Sequence, residues 1–393
     1  MASFNNISEE ECYPGYNFTV EETLSYLYTP FGKYFIIVLV PLISTFGIIG
    51  NGTFLYAMYH HANATMMRTT TNFYLANLAI ADALLLITGA VQYLWNFTHA
   101  EGLNFEGTTL SYNYPAGCSL LNIVTNLCYF ASVFLVTFVT GERYFAICHP
   151  LSYRVSTTRA VAMILVSWTS ATTFAGFQVP YYDVRTVCVS WPSDEEQYLG
   201  RQDKIPVCFH ACEWCQDVAT RAFFFQYIIS VTAVIFMSLA MIHKLRRRFL
   251  RRNSIRHENS VRNHVNLVRM VQINSLVFFL CHTPNEIINT NAIASTHASG
   301  FLTSQQMYYI TWIGRLTVLV NSAVNPLIYS VVNPAYRKAF HRIYCCHFCR
   351  HHQKGKVTIS VPPRDIEKEL TMKTDLPSPP PCFRRRDDDV INS

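Results

Sequence analysis

Five polar side chains sit deep in apolar stretches of this chain: Asp82, Ser132, Asn321, Ser322 and Asn325. In hydrocarbon a charged group costs about 2.5 to 3.5 kcal/mol on insertion scales, so polar residues held there meet one another or a ligand. Asn321 and Asn325 are four residues apart and share a helix face. A carboxylate ringed by hydroxyl and amide oxygens suits a hard monovalent cation such as sodium, or a proton shared with water. The plainer alternative is a satisfied polar core without an ion. Under each reading the cluster is a buried polar hinge that can take two packings.

Arg143 lies eleven residues past Ser132, ~16 Å along a helix, and so at the end of its apolar stretch. With Glu142 it forms a boundary pair that an entering partner can release, a candidate latch, and Tyr144 completes the triplet. Towards the opposite ends of the stretches stand Gln92, Tyr93, Thr125, Asn126, Tyr129, Glu286, Asn289, Trp312 and Arg315, which make a polar, partly charged pocket. Arg315 could grip a peptide carbonyl or carboxylate bidentately, or pair internally with Glu286.

Helices must position these groups. Seven stretches are apolar over the ~20 residues that cross a bilayer: 34–59, 73–94, 118–139, 160–177, 222–242, 265–288 and 307–332. The composition agrees, being 50% hydrophobic and only 14% charged. Loops are short apart from one of about forty residues after Pro180. Between the fifth and sixth stretches Lys244, Arg246, Arg247, Arg248, Arg251, Arg252, Arg256 and Arg262 face a lone Glu258, which places that segment in the cytosol. Glu9, Glu10, Glu11, Glu21 and Glu22 in the amino-terminal arm belong outside. The expectation is a multi-pass plasma-membrane protein, amino terminus extracellular and carboxyl terminus cytoplasmic. Its net charge of +6 is then a cytoplasmic collar and carries no nucleic-acid reading. No cleaved signal peptide is expected before the first stretch. Asn6, Asn17 and Asn96 head outer-side glycosylation sequons, whereas Asn51 and Asn63 match the pattern in a span and a cytosolic loop.

Of 13 cysteines, those outside favour lasting bridges. Cys118 tops the third stretch, and a bridge from it to the long loop would pin that loop across the mouth. Cys188, in a β-branched segment suited to a hairpin strand, is the favoured partner, with Cys208 as the alternative. Cys208, Cys212 and Cys215 could otherwise staple the loop or, with His210, hold zinc. On the inner side, residues 333–349 combine an amphipathic helix, Phe340 and Ile343 inward, with Cys345, Cys346 and Cys349 as palmitoylation candidates; a zinc cluster is the competing reading. The tail 350–393 is Pro-rich and charged, so disorder is expected, with Ser254, Thr371, Thr374 and Ser378 as candidate phosphorylation sites for arrestin recruitment.

Gly50-Asn51, Asp82, Cys118, Glu142-Arg143-Tyr144, Trp168, Phe278 with Cys281-His282-Thr283-Pro284, and Asn325-Pro326 to Tyr329 stand in chain order along, or just past the end of, six of these seven stretches. The chain thereby resembles the rhodopsin-like (class A) G-protein-coupled receptors over about residues 34 to 345. The resemblance implies an all-α, seven-transmembrane helix bundle with a short amphipathic eighth helix, 1–33 being a glycosylated arm and 34–332 the membrane domain. It implies a switch made of Glu142, Arg143, Tyr144, Phe278, His282, Pro284, Asn325, Pro326 and Tyr329, no enzymatic activity, no cofactor beyond an allosteric sodium ion, and a heterotrimeric G protein and arrestin as partners. His282 stands where the family usually has tryptophan, and the fifth stretch lacks the usual proline and inner tyrosine.

Thr125 occupies the position where amine receptors carry aspartate, and no lysine lies between Val265 and Arg337 to anchor retinal. The acidic, cysteine-rich outer loop and Gly141 to Leu151 look like the neuropeptide branch, including the thyrotropin-releasing-hormone-receptor type. An extracellular peptide is the expected ligand, a lipid or other small non-amine molecule the alternative. A transporter would show an internal repeat, which is lacking. A seven-span hydrolase would need metal ligands in its spans, where His282 is the only deep histidine.

Overall fold

A computed structural model describes residues 12, 17–25, 27–60, 69–99, 103, 115–153, 156–177, 182–210, 213–250, 258–295, 300–334 and 336–344. Expectations that fall on Asn6, on Cys345, Cys346 and Cys349, or on the tail lie outside the described residues.

Pro30 opens the first long helix, where its missing N–H is not needed, and Thr29 Oγ1 accepts from Gly32 N at 3.2 Å. That helix runs as α2 (Pro30–Tyr34), a π-helical turn (Phe35–Leu39) and α3 (Val40–His60), after a short α1 (Val20–Ser25). There follow α4 (Thr70–His99), α5 (Pro115–Cys148), α6 (Thr157–Gly176), α7 (Glu213–Leu250), α8 (Glu258–Ser295) and α9 (Ser304–Val332). Six of these helices are long and apolar enough to cross a membrane. The remaining one, α6, is rich in Ser and Thr, and its hydroxyls turn back on its own carbonyls: Ser167 to Met163 at 2.9 Å, Thr169 to Leu165 at 2.8 Å, Thr172 to Trp168 at 2.8 Å. Such bonds make a polar sequence tolerable in an apolar setting.

The basic segment after Ile242 is less of a loop than its charge suggests. α7 continues unbroken to Leu250 and α8 begins at Glu258, each helix being 38 residues long. Lysine and arginine are good helix formers, so the helices outrun their apolar cores. Residues 336–344 form the expected amphipathic helix, with Tyr336 and Ala339 buried and Phe340 and Ile343 packed beside them.

The bundle is not purely helical. β1 (Asn17–Phe18), β2 (Tyr182–Val189) and β3 (Lys204–His210) make a sheet in that order, β2–β3 antiparallel and β1–β2 parallel. Val187, Val189, Ile205 and Val207 share one face and close a small core with Leu103, against which Phe18, Leu27 and Trp191 pack. Val189 N donates to Asp203 O at 2.8 Å, so alternation along the register turns Pro206 outward. Proline is tolerated there because the amide it lacks would face away from β2.

The sheet corrects the expected disulfide. Cys188 is bonded to Cys12, their Cα atoms 5.5 Å apart, and not to Cys118. The reason is the parallel pairing of Asn17 with Cys188, which lays the amino-terminal arm along the outer edge of β2. The side chains of Cys118, Cys208, His210, Cys212 and Cys215 lie outside the described residues. Asn17 is exposed on β1, but Asn96, expected to carry a glycan, sits in α4 with 7% exposure, leaving no room for one in this fold.

Candidate functional site

At the end of the bundle opposite the sheet, Arg143 Nη2 donates to Glu142 Oε2 at 3.1 Å and to Thr70 Oγ1 at 2.9 Å, with all three residues buried. The pair is thus closed and tied across to α4. In the same turn of α4, Asn72 accepts from the Tyr336 hydroxyl. The Tyr336 ring packs 5.7 Å from Phe54 and 6.0 Å from Tyr329, so the terminal helix, α3, α4 and α9 are knit together beneath the latch. Burial raises the Tyr336 phenol above its usual range. Tyr153, just past α5, is raised by burial and by the Glu142 carboxylate. Tyr144 packs against Phe236 of α7 at 6.2 Å.

Midway along the bundle, Asn325 Nδ2 donates to Asp82 Oδ2 at 2.5 Å. Asn51 Nδ2 bonds the carbonyls of Gly47 at 3.0 Å and Ser322 at 2.9 Å, joining α3 to α9. Within the expected cluster, four of the buried oxygens that lack a partner among the described residues are Asp82 Oδ1, Ser132 Oγ, Asn321 Oδ1 and Asn325 Oδ1. An all-oxygen donor set with one formal negative charge fits a hard monovalent cation, with nothing in it to favour a soft metal.

Above this lies Pro284 of α8, the expected hinge. Pro284 leaves the Leu280 carbonyl without its helical donor, and neighbouring carbonyls of α8 are taken by other helices. Tyr227 OH donates to Phe279 O at 2.9 Å and shares a bond with Thr283 Oγ1 at 3.1 Å, while Thr317 Oγ1 donates to Cys281 O at 2.6 Å. The His282 ring stands 4.4 Å from Phe278 and 4.9 Å from Tyr129.

Towards the sheet, the expected pocket residues form two groups. Tyr129 OH donates to Glu286 Oε1 at 3.1 Å and Asn289 Nδ2 to Glu286 Oε2 at 3.2 Å. The Arg315 guanidinium lies 5.7 Å over the Tyr93 ring and 5.0 Å over Trp312. The expected alternative of a Glu286–Arg315 pair is therefore replaced by these separate partners. Gln92 Nε2 bonds Asn122 Oδ1 at 2.9 Å, and Thr125 Oγ1 bonds Thr88 Oγ1 at 3.2 Å, both across α4 and α5. Asn126 lies on the same helix one residue after Thr125.

Trp312, expected in the pocket, is core instead: Tyr28, Phe31 and Phe35 surround it at 6.1, 6.3 and 5.0 Å. Tyr28 on the approach to the first long helix, with Phe31 and Phe35 in its opening turns, supplies this cover, which no periodicity announced. Thr70, Asn72 and Tyr336, at helix ends, and Tyr227, inside α7, were equally absent from the sequence-based set, since single polar residues of these types are common in helices. Only Tyr336, seven residues past Tyr329 on an amphipathic face, carried a usable signal.

The model of the 7 transmembrane receptor (rhodopsin family) matches residues 50–329, from the first-helix motif to Tyr329. A tachykinin-like peptides receptor of Drosophila melanogaster is 26% identical over 76% of this chain, and the chain spans 56% of that relative's length. A somatostatin receptor type 2 of Sus scrofa is 22% identical over 88% of the chain and 82% of its own. A growth hormone secretagogue receptor type 1 of Mus musculus is 27% identical over 76% of the chain and 77% of its own.

Proposed function

This chain belongs to the rhodopsin family of seven-transmembrane receptors, and on that premise we propose that it binds an extracellular peptide and activates a heterotrimeric G protein. It is a receptor and not an enzyme. The observation that carries the reading is the polar cluster of Tyr129, Glu286 and Asn289 towards the sheet, its Glu286 two residues past Pro284 on α8, with a closed Glu142–Arg143 pair at the other end of the bundle. The relatives' names, which speak of tachykinin-like peptides and somatostatin, support a peptide, as does a mouth rich in hydrogen-bonding groups.

A peptide that binds better to an open form moves the equilibrium toward it. Binding beside Glu286 and Tyr129 would shift His282 against Phe278, and α8 would swing at Pro284. The outward movement opens the space below, where Thr140 Oγ1 now bonds Ser275 Oγ at 3.2 Å, and frees Arg143 for the G protein. A sodium ion on Asp82, Ser132, Asn321, Ser322 and Asn325 would hold the resting packing by supplying charge to the orphaned oxygens. The receptor sits in the plasma membrane with the sheet outside, the basic ends of α7 and α8 in the cytosol, and the 336–344 helix along the bilayer surface. Arrestin binding to a phosphorylated tail completes the reading.

The test is expression with a promiscuous G protein and a library of amidated and free-acid peptides, read as calcium release. A hit lost in Arg143→Ala at equal surface expression supports the reading. A hit of equal size in that variant contradicts it, and silence from every peptide despite surface expression points to a lipid ligand.

A further inference from the structure

Among the described residues two buried carboxylates meet only neutral donors, Asp82 midway along the bundle and Glu286 towards the sheet, and Glu286 is the one at the ligand level. It is 6% exposed, and its carboxylate is met by the Tyr129 hydroxyl and the Asn289 amide, both neutral. The ion pairs found among the described residues, Glu142–Arg143 and Asp217–Arg221, lie at the two ends of the bundle. Arg315 turns its guanidinium over Tyr93 and Trp312. A buried carboxylate held by two neutral donors is incompletely compensated, because solvation lost on burial is recovered only by an opposite charge in good geometry.

We propose that Glu286 is the counter-ion for a cationic group of the ligand, an ammonium or guanidinium that enters from the sheet end and docks between α5 and α8. Resting on the peptide-receptor reading, this narrows the ligand to one whose amino terminus, lysine or arginine reaches the level of Tyr129. It also revises an exclusion: Thr125 removes the counter-ion from α5, and Glu286 supplies one from α8. A cation at Glu286 competes with Tyr129 for the carboxylate. Tyr129 carries His282 on its ring at 4.9 Å, so the same contact passes from ligand charge to the hinge.

Purified receptor is melted with 4-phenylbutylammonium and with its neutral isostere 4-phenylbutanol, as wild type, Glu286→Gln and Glu286→Asp. The ammonium near saturation should raise the wild-type melting temperature by about 3 °C. The alcohol should not, and Glu286→Gln should be indifferent to both while melting no lower than wild type without ligand. Glu286→Asp should keep part of the shift. Equal shifts from ammonium and alcohol, or an ammonium shift that survives in Glu286→Gln, overturn the proposal. So does a Glu286→Gln protein that melts well below wild type while Glu286→Asp does not, since the carboxylate would then be structural. Peptides with free and acetylated amino termini separate this inference from the reading beneath it. A peptide hit indifferent to Glu286→Gln retires the cation site and keeps the peptide receptor; silence from all peptides with the ammonium shift intact does the reverse.

Discussion

Arg143 leaves its own helix to bond Thr70, 2.9 Å away at the start of α4, with the same nitrogen that Glu142 holds at 3.1 Å. The guanidinium therefore answers to two helices, and removing either acceptor should loosen it. Thr70→Val deletes one hydrogen bond to a charged group, about 1.5 kcal/mol or more. Basal G-protein nucleotide exchange should then rise roughly tenfold. Exchange unchanged at matched surface expression would show that the Thr70 contact does not restrain the latch. Arg143→Ala should abolish coupling and leave peptide binding intact.

The Asn72–Tyr336 bond should matter to stability. Tyr336→Phe removes one hydrogen bond from the buried Asn72 and should cost about 1 kcal/mol. For a domain this size that is a fall in melting temperature of a few degrees, about 2 to 4 °C per kcal/mol. Detergent-solubilised receptor assayed by thiol-reactive dye reads it directly. A variant as stable as wild type would mean water replaces the hydroxyl.

Sodium should stabilise the receptor through Asp82. Exchange of N-methylglucamine chloride for sodium chloride at constant ionic strength should raise the melting temperature of wild type and leave Asp82→Asn unmoved. Loss of the carboxylate removes the only formal negative charge in that cluster. Equal response of both proteins would remove the ion from the account.

Breaking Cys12–Cys188 should free the arm without unfolding the bundle. In Cys12→Ser the amides of β2 that face β1 should lose hydrogen-exchange protection, while those of α4 and α9 keep theirs. Protection retained at β2 would mean the two-residue pairing stands without its bridge.

Glu22 gives a pH test outside the membrane. Its carboxylate accepts from Thr19 N at 2.8 Å and Thr19 Oγ1 at 2.9 Å, and these bonds, the backbone one first, lower its pKa below the usual range. The stabilisation of α1 is therefore present above the unfolded-state value and lost as pH falls through the folded one. The protection of Thr19 N, its exchange relative to the intrinsic rate at each pH, should fall on acidification below pH ~4.5. Glu22→Gln should remove the dependence, and an identical profile in the variant would assign it elsewhere.

The spans were legible because about twenty apolar residues have few alternatives in a bilayer, and the buried polar set because each member interrupts such a stretch. Asp82 with Asn325, and Glu142 with Arg143, meet as their depths implied. The partnership of Cys12 was illegible, since β1 has two residues and no periodicity to announce a strand. Trp312 misled because its depth matched the pocket, whereas the rings that cover it, Tyr28, Phe31 and Phe35, come from the approach to the first long helix and its opening turns. The reach of α7 and α8 past the membrane was masked by charge, which reads as loop even where propensity favours helix.

Biogenesis meets a different molecule from the finished one. An insertion machinery that weighs helices singly encounters six that prefer hydrocarbon and one, α6, whose hydroxyls make it indifferent. Trp168 Nε1 finds its acceptor, Asn77 Oδ1 at 3.0 Å, only after α4 is already in place. The fourth segment should therefore linger at the lateral exit until its predecessors can escort it, and residues that stabilise the α4–α6 seam would act on yield before they act on signalling.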